Sequence, residues 1–143
     1  MKQVLCLAVG QSGIAMADAC WNAFRLEHNL SVHGEPMGDR CSQDDIPMTN
    51  FFSLTGSERY VPRTVFVDTN RNSFDSIVNS QCLYDPASFI ESTLQRSEQS
   101  VALEAIRHFA DDCDNLEGFM IFNSLSGRAG SHVTANLLEL LSN

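Results

Sequence analysis

The chain has 143 residues, of which 43% are hydrophobic and 19% are charged, a composition typical of a soluble globular protein and not of a disordered segment. This length is sufficient for one domain with a buried core, so we predict a single domain over residues 1–143. Nine lysine and arginine residues against 18 aspartate and glutamate residues give a formal net charge of -9, which disfavours nonspecific binding to nucleic acid or to an anionic membrane, so neither is an expected partner.

The cysteines and the N-terminal apolar run indicate neither a secreted protein nor a membrane protein. Five cysteines form an odd set with no Cys-x-x-Cys pair and no matched histidine spacing, so the sequence indicates neither a disulfide framework nor a zinc site. The apolar run at residues 4–9 is too short for a signal peptide or a membrane span, and Gly10 interrupts it. We therefore expect a cytoplasmic protein.

The first predicted unit is a strand followed by a helix. Residues 3–9 form a nearly continuous apolar run, as expected for a parallel strand covered on both faces. Residues 10–13 are predicted to form a tight turn. From Ile14 the apolar positions recur every three or four residues, which predicts a helix that ends near Asn29, a residue that tolerates the left-handed conformation.

The middle of the chain has weaker patterns. Residues 31–50 contain glycine, proline and acidic residues without a clear period, which predicts an exposed, mobile loop. A second strand is predicted at residues 64–68, followed by a turn and a short helix near residues 74–79. An apolar stripe that includes Ala102, Ala105 and Phe109 predicts a longer helix over residues 97–113.

The last predicted unit has a strand at residues 118–122 and a helix at residues 133–141. The resulting order βα, βα, α, βα predicts an α/β fold, a parallel sheet in three layers with right-handed crossovers. Ligands bind at the carboxyl ends of the strands in such sheets, and the turns after all three predicted strands fall at that edge.

The turn after the last predicted strand has the features of a phosphate site. A buried strand is followed by a run of small residues and then by a helix. In parallel sheets this order places a bound phosphate group at the N-terminus of the helix. Arg128 and His132 stand where a close approach of the backbone to phosphate would favour glycine. We therefore expect both side chains to enter the space of the phosphate.

Several segments together resemble the N-terminal part of tubulin, and the alpha type more than the beta type. These segments are Val9-Gly10-Gln11-Ser12-Gly13, Ala19-Cys20-Trp21, Leu26-Glu27-His28, Val61-Pro62-Arg63, Val65-Phe66-Val67-Asp68 and residues 116–142. They occur in the family's order at nearly the family's spacing. The resemblance implies a partial Rossmann-like nucleotide-binding domain, GTP or GDP as its ligand, and a cytoplasmic, cytoskeletal location.

The resemblance also implies which residues contact the nucleotide, with Gln11 contacting phosphate and metal. The implied nucleotide-binding residues are Gly10, Gln11, Ser12, Gly13, Asp68, Asn70, Ser124, Gly127, Gly130 and Ser131. For Ser131, capping of the last helix is an alternative role. Although the family's glutamine contacts the metal, we expect no catalytic residue and no metal site in this chain. The altered glycine-rich signature argues against hydrolysis of GTP without deciding it.

Three departures from the family affect its phosphate side. Asn70 stands where the family has a glutamate that helps to hold magnesium, which weakens the expected Mg²⁺ contact. The family's third phosphate turn should lie between Ile90 and Val101, but this chain is about a dozen residues short there. The family's Gly-Gly-Gly-Thr-Gly-Ser-Gly signature reads Ser-Gly-Arg-Ala-Gly-Ser-His at residues 126–132. Together these departures indicate a degenerate nucleotide site.

Three hypotheses remain open. The first is a tubulin-like protein of the microtubule cytoskeleton that binds guanine nucleotide weakly and does not polymerise independently, because the resemblance covers only the family's N-terminal part. The second is a nucleotide-free module that binds tubulin, microtubules or tubulin chaperones. It is motivated by the expectation that Phe119, Ile121 and the leucines at 137–141 leave a bare apolar edge. The third is a truncated gene product without activity.

Overall fold

The computed structural model describes residues 2–38, 48–80, 83–92, 100–127 and 129–142. Within these residues the strands, in chain order, are β1 (Gln3–Val9), β2 (Phe52–Leu54), β3 (Tyr60–Pro62), β4 (Thr64–Asp68), β5 (Phe89–Glu91) and β6 (Leu116–Asn123). The helices in the same part of the chain are α1 (Gly10–Glu27), α2 (Asp75–Ser80), α3 (Ser100–Asp111) and α4 (Thr134–Ser142). Short 3-10 segments lie at Met48–Asn50, Arg71–Phe74 and Pro86–Ser88, and a π-helical turn lies at Ala129–Val133.

Four parallel strands form the central sheet in the order β5-β4-β1-β6. If these parallel strands are counted along the chain, their order in the sheet is 3-2-1-4, as in a Rossmann fold. The prediction of a parallel, Rossmann-like α/β sheet is therefore confirmed. In this topology the winding direction reverses between β1 and β6, which is where ligands bind in related sheets.

Both faces of the sheet are covered by helices. Leu7 of β1 belongs to one core cluster with Ile106 of α3 and Leu137 of α4. The next residue, Ala8, belongs to a second cluster with Trp21 of α1. Because successive side chains of a strand point to opposite faces, α1 covers one face and α3 and α4 cover the other. The predicted three layers are confirmed.

Helix α1 begins four residues earlier than its apolar pattern predicted. The predicted turn at residues 10–13 is wrong, because these residues form the first turn of α1. Gly10 has a φ of 78°, so the chain leaves the strand within one residue and the helix begins at once. The predicted end of the helix is confirmed, since Asn29 follows the C-cap His28 with a left-handed φ of 55°.

Three short strands were not predicted. β2 and β3 pair as an antiparallel hairpin outside the main sheet, and β5 pairs with β4 at the edge of the main sheet. The predicted order βα, βα, α, βα is therefore wrong at α3, which follows a strand of its own. Each missed strand has only three residues, which is too few for an alternating pattern to become visible.

The predicted loop at residues 31–50 is described in two parts. Most of residues 31–38 are exposed, as predicted, but Gly34 is buried and its carbonyl oxygen accepts a hydrogen bond from the N–H of Tyr60 at 2.8 Å. Residues 48–50 form a 3-10 turn. Residues 39–47, which include most of the acidic residues of this loop, lie outside the described residues, so the predicted mobility stays a prediction.

The predicted helix at residues 97–113 is present as α3, Ser100–Asp111, while residues 97–99 lie outside the described residues. Ala102 is fully buried, as its position in the apolar stripe predicted. Ile106 was missed, although it is 1% exposed and packs in the same core cluster. The stripe therefore identified the buried side of α3 but not all of its contacts.

Three of the cysteines can be described, namely Cys6, Cys20 and Cys113, and all three are free thiols. Burial raises the pKa of the Cys6 thiol to about 11, so this thiol stays protonated at neutral pH and is a poor nucleophile. Cys41 and Cys82 lie outside the described residues. Among the helices that the structure describes, none has the length and apolar character that a membrane span requires.

The exposed edge that was predicted at β6 is present in part. Within the described residues β6 pairs only with β1, and Phe119 is 40% exposed. On α4 the prediction holds for Leu138, which is 47% exposed, and is wrong for Leu137, which is 2% exposed. Leu137 is covered because it packs against the sheet within the chain's own core.

Candidate functional site

The carboxyl ends of β1, β4 and β6 meet at one edge of the sheet. Val9, the last residue of β1, pairs with Val67 of β4 and with Asn123 of β6, so the turns that follow lie side by side. These turns enclose a cavity of about 300 Å³, which we call the turn cavity. Its lining residues are Gly10, Gln11, Ser12, Asp68, Asn70, Ser73, Ser124, Ser126, Gly127 and Gly130. The prediction that the three turns share one edge is confirmed.

The N-terminus of α1 opens on the turn cavity. Gln11 and Ser12, in the first turn of this 18-residue helix, line the cavity and are exposed. The N-cap residue Val9 has no side chain that could accept a hydrogen bond, and the first turn contains no acidic residue. Backbone N–H groups without helical acceptors and the positive end of the helix dipole therefore face the cavity, an arrangement that favours an anion.

The turn after β4 contributes oxygen atoms that are already engaged. Asp68 is 4% exposed, and its Oδ1 accepts a hydrogen bond from the N–H of Thr69 at 2.7 Å. Oδ1 of Asn70 accepts a hydrogen bond from the N–H of Asn72 at 3.0 Å and thereby caps the 3-10 segment that follows. The side chain of Asn70 thus stabilises the start of the 3-10 segment at Arg71–Phe74.

Asn70 is a poor ligand for Mg²⁺ at this cavity. A hard cation prefers carboxylate and water oxygens, whereas Asn70 offers an amide oxygen that is bound to the N–H of Asn72. In the described part of the chain, no group of three or more His, Cys, Asp or Glu side chains is placed to hold a metal ion.

The turn between β6 and α4 contributes hydroxyl groups and a tight backbone. The Oγ atoms of Ser124 and Ser126 are 3.1 Å apart, and the N–H of Ser126 donates to Oγ of Ser124 at 3.3 Å. Gly127 has a φ of 93°, which favours glycine at this position. A Cβ atom on Gly130 would lie 2.9 Å from the carbonyl oxygen of Ser124, so this glycine allows the turn to close.

Charge at the turn cavity comes from the backbone more than from side chains. Asp68 is the one acidic residue in the described lining, which contains no lysine or arginine. Arg128 lies outside the described residues, so its predicted entry into the phosphate space stays a prediction. The corresponding prediction for His132 is wrong, because His132 is exposed and does not line the cavity.

Two predicted nucleotide-binding residues lie outside the lining. Gly13 packs against β6, where a Cβ atom would meet the carbonyl oxygen of Phe122 at 2.4 Å. The hydroxyl of Ser131 donates to the carbonyl oxygen of Gly127. Ser131 therefore does not accept a backbone N–H bond through this contact, and the alternative role of helix cap is not seen for it.

Two lining residues, Ser73 and Ser126, were not predicted. Ser126 was visible in the sequence as the second hydroxyl of the Ser-Leu-Ser run that follows β6. Ser73 had no comparable signal, because it reaches the cavity only through the path of the 3-10 segment at Arg71–Phe74. Together they make the cavity richer in hydroxyl groups than expected.

A comparison with protein families gives one match that spans nearly the whole chain. The model described as "Tubulin/FtsZ family, GTPase domain" matches residues 3–143. The matched range includes every residue that lines the turn cavity.

Curated relatives agree with this match. Over 99% of its length, the chain is 34% identical to a "Tubulin alpha chain" of Zymoseptoria tritici and to a "Tubulin alpha-2 chain" of Caenorhabditis elegans. It is 32% identical to a "Tubulin alpha-3 chain" of Zea mays, again over 99% of its length. The chain spans about 35% of the length of each of these relatives.

Proposed function

Because this chain belongs to the Tubulin/FtsZ family of GTPase domains, we propose that its turn cavity is a degenerate guanine-nucleotide site that binds the phosphates of GTP or GDP weakly. One observation carries this proposal, namely the convergence of three turns on the N-terminus of α1. The cavity lies between the ends of β1 and β6, where the winding of the sheet reverses.

The phosphate end of the nucleotide is the part that these residues suit. Gln11 and Ser12 belong to a helix N-terminus that has no acidic residue and no side-chain cap, so its N–H groups are available to an anion. Ser124 and Ser126 add hydroxyl groups that can donate to phosphate oxygens. Gly127 and Gly130 keep side chains out of the same space.

Weak binding is expected because, within the described lining, these contacts provide no positively charged side chain or metal ion. A triphosphate or diphosphate has several negative charges, and in sites of this kind a bound cation is often the largest opposing charge. Asn70 supplies no charge and already caps the 3-10 segment, and Asp68 adds a negative charge. We therefore expect binding that depends on N–H groups and hydroxyls and that changes little with Mg²⁺.

A titration with a fluorescent GDP analogue tests this site. We expect saturable binding with a dissociation constant of about 0.1–1 mM, which corresponds to about -5.5 to -4.1 kcal/mol. Addition of Mg²⁺ should change this constant by less than about a factor of two, or about 0.4 kcal/mol. A signal that stays linear with the analogue concentration through the millimolar range, or binding that requires Mg²⁺, would contradict the proposal.

The variant Ser12→Glu makes the test specific for the cavity. A carboxylate in the first turn of α1 repels phosphate, and we expect binding to weaken at least about tenfold, or about 1.4 kcal/mol. The same carboxylate interacts favourably with the helix dipole, so the fold should not be destabilised. Ser12→Gln is the matched neutral control and should stay within about a factor of three of the parent chain.

We further propose a cytoskeletal, cytoplasmic location and association with tubulin or microtubules. The named relatives are alpha-tubulin chains, which supports tubulin as the partner class. Absence of independent polymerisation stays a prediction, for which unchanged light scattering of the purified chain in the presence of GTP is the expected result.

The alternative is a nucleotide-free module that binds tubulin, and the exposed edge of β6 favours it. The outer side of β6 has no strand partner in the described part of the chain, and Phe119 is 40% exposed there. We expect the chain to sediment with microtubules or to be retained by soluble tubulin, and Phe119→Lys to reduce that binding. Binding to tubulin chaperones is tested in a separate retention assay. No binding to microtubules, to soluble tubulin or to chaperones would exclude the alternative.

A further inference from the structure

A second and larger cavity lies away from the three turns. It has a volume of about 600 Å³, twice that of the turn cavity, which is within the range of sites for small organic ligands. Its walls come from the β2–β3 hairpin, the 3-10 segment Arg71–Phe74 with the start of α2, and residues 84–89. We call it the hairpin cavity, and it has no lining residue in common with the turn cavity.

Aromatic rings form one wall of the hairpin cavity. The ring centroid of Phe89 lies 5.4 Å from that of Phe74 and 6.2 Å from that of Tyr84. On its other side Phe89 stacks on Phe66 of the sheet at 5.2 Å. The hydroxyl of Tyr84 donates to Oδ1 of Asp18 at 2.7 Å, which fixes this ring. The wall is therefore preformed, and it suits a planar aromatic group.

Two arginines line the same cavity. Nε of Arg59 donates to the carbonyl oxygen of His33 at 2.8 Å, which holds this side chain at the cavity wall. Arg71 also lines the cavity, and no hydrogen-bond or ion-pair partner for it is seen among the residues that the structure describes. A guanidinium without a partner beside an aromatic wall favours a carboxylate or another planar anion.

Neither carboxylate of the lining is seen paired with Arg71 among the described residues. Oδ1 of Asp85 accepts the N–H of Ala87 at 2.9 Å and caps the 3-10 segment at Pro86–Ser88. Asp75 lies in the first turn of α2, where the helix dipole favours a negative charge. Within the described residues, the guanidinium of Arg71 therefore keeps its hydrogen-bond donors available to a ligand.

We propose that the hairpin cavity binds a small planar aromatic anion. Its ring packs on Phe74 and Phe89, and its acidic group binds the guanidinium of Arg71. Volume, the preformed aromatic wall and the cation each select one property of this ligand, namely its size, its planarity and its charge. The site is separate from the proposed nucleotide function and does not depend on it.

The test compares naphthoate with naphthamide, a neutral molecule of nearly the same shape, by amide chemical shifts of the full chain. Naphthoate should bind saturably, and its shift changes should be confined to residues 55–61, 71–78 and 84–89. Naphthamide should bind at least about tenfold more weakly, because it lacks the charge-assisted hydrogen bonds to Arg71. Equal binding of the two compounds, or shift changes spread over the surface, would overturn the proposal.

Arg71→Gln should weaken naphthoate binding about tenfold and leave naphthamide binding within about a factor of two. Arg107→Gln is the matched control, because it makes the same change in net charge on α3, where Arg107 pairs with Glu104 at 3.0 Å. This control should bind naphthoate like the parent chain. An equal loss in both variants would mean that only net charge matters, which also overturns the proposal. Ser12→Glu should not affect naphthoate binding, so failure of one site can be separated from failure of the other.

Discussion

Replacing Gly13 with alanine is expected to lower the free energy of unfolding by about 3 kcal/mol, at the upper end of the usual range for overpacking. The added Cβ atom would lie 2.4 Å from the carbonyl oxygen of Phe122 and 3.1 Å from Cα of Asn123. Both neighbours are backbone atoms of β6, which cannot rotate away as a side chain can. Helix α1 would therefore have to move off the sheet to accommodate one methyl group.

Helix propensity alone predicts that Gly13→Ala would raise the stability, so the two contributions can be told apart. Alanine is favoured over glycine inside a helix by about 1 kcal/mol, so a net loss of stability must come from the contact with β6. The measurement is urea unfolding without nucleotide, followed by far-UV circular dichroism. Gly118→Ala is the matched control, because nothing lies within 4 Å of its added Cβ atom, and a change within about 0.5 kcal/mol is expected.

Unchanged stability of Gly13→Ala together with weakened nucleotide binding would contradict the packing role. That result would instead support the phosphate-binding role that the family resemblance implied for Gly13. The two roles are separable because the packing contact exists without ligand and the phosphate contact does not. A sequence alone cannot distinguish them, since both call for the residue without a side chain.

Long elements that bury a whole face were predictable from the sequence. β1, β4 and β6 carry apolar runs because helices cover both sides of the sheet, and α1 repeats its apolar positions because one side packs on the sheet. The β2–β3 hairpin and β5 were not predictable in this way. Their three-residue strands are fixed by pairing with residues distant in the sequence, which leaves little local pattern.

The positions of the site residues were predictable where the strand order alone determines them. They were not predictable where the local path of the backbone determines them. The turns after parallel strands must meet at one edge, so Gln11, Asp68 and Ser124 were correctly expected to lie near one another. Asn70 was recognisable as uncharged, but only the structure places its oxygen on the N–H of Asn72. The hairpin cavity had no sequence signal at all, because its walls come from three separated segments.

Truncating Trp21 to alanine is expected to cost about 4 kcal/mol of unfolding free energy, within the usual range for a buried tryptophan. Trp21 is 0% exposed and is among the largest fully buried side chains. Its ring makes edge contacts with Phe24 at 5.6 Å, Phe52 at 5.4 Å and Phe51 at 6.4 Å. The truncation therefore removes apolar burial and leaves a cavity between α1 and the hairpin.

A loss of this size is most of the free energy of unfolding of a marginally stable domain, so the conservative variant Trp21→Phe accompanies it. Phenylalanine keeps an aromatic ring in the cluster, and we expect a loss of about 1–2 kcal/mol. Met16→Ala is the control on the same helix, because Met16 is 45% exposed, and it should cost less than about 1 kcal/mol. Far-UV circular dichroism is the probe, since Trp21 is the chain's one tryptophan and its fluorescence is lost in both variants. Equal losses in Trp21→Phe and Met16→Ala would mean that the aromatic cluster does not hold α1 against the hairpin, contrary to the contacts that join them.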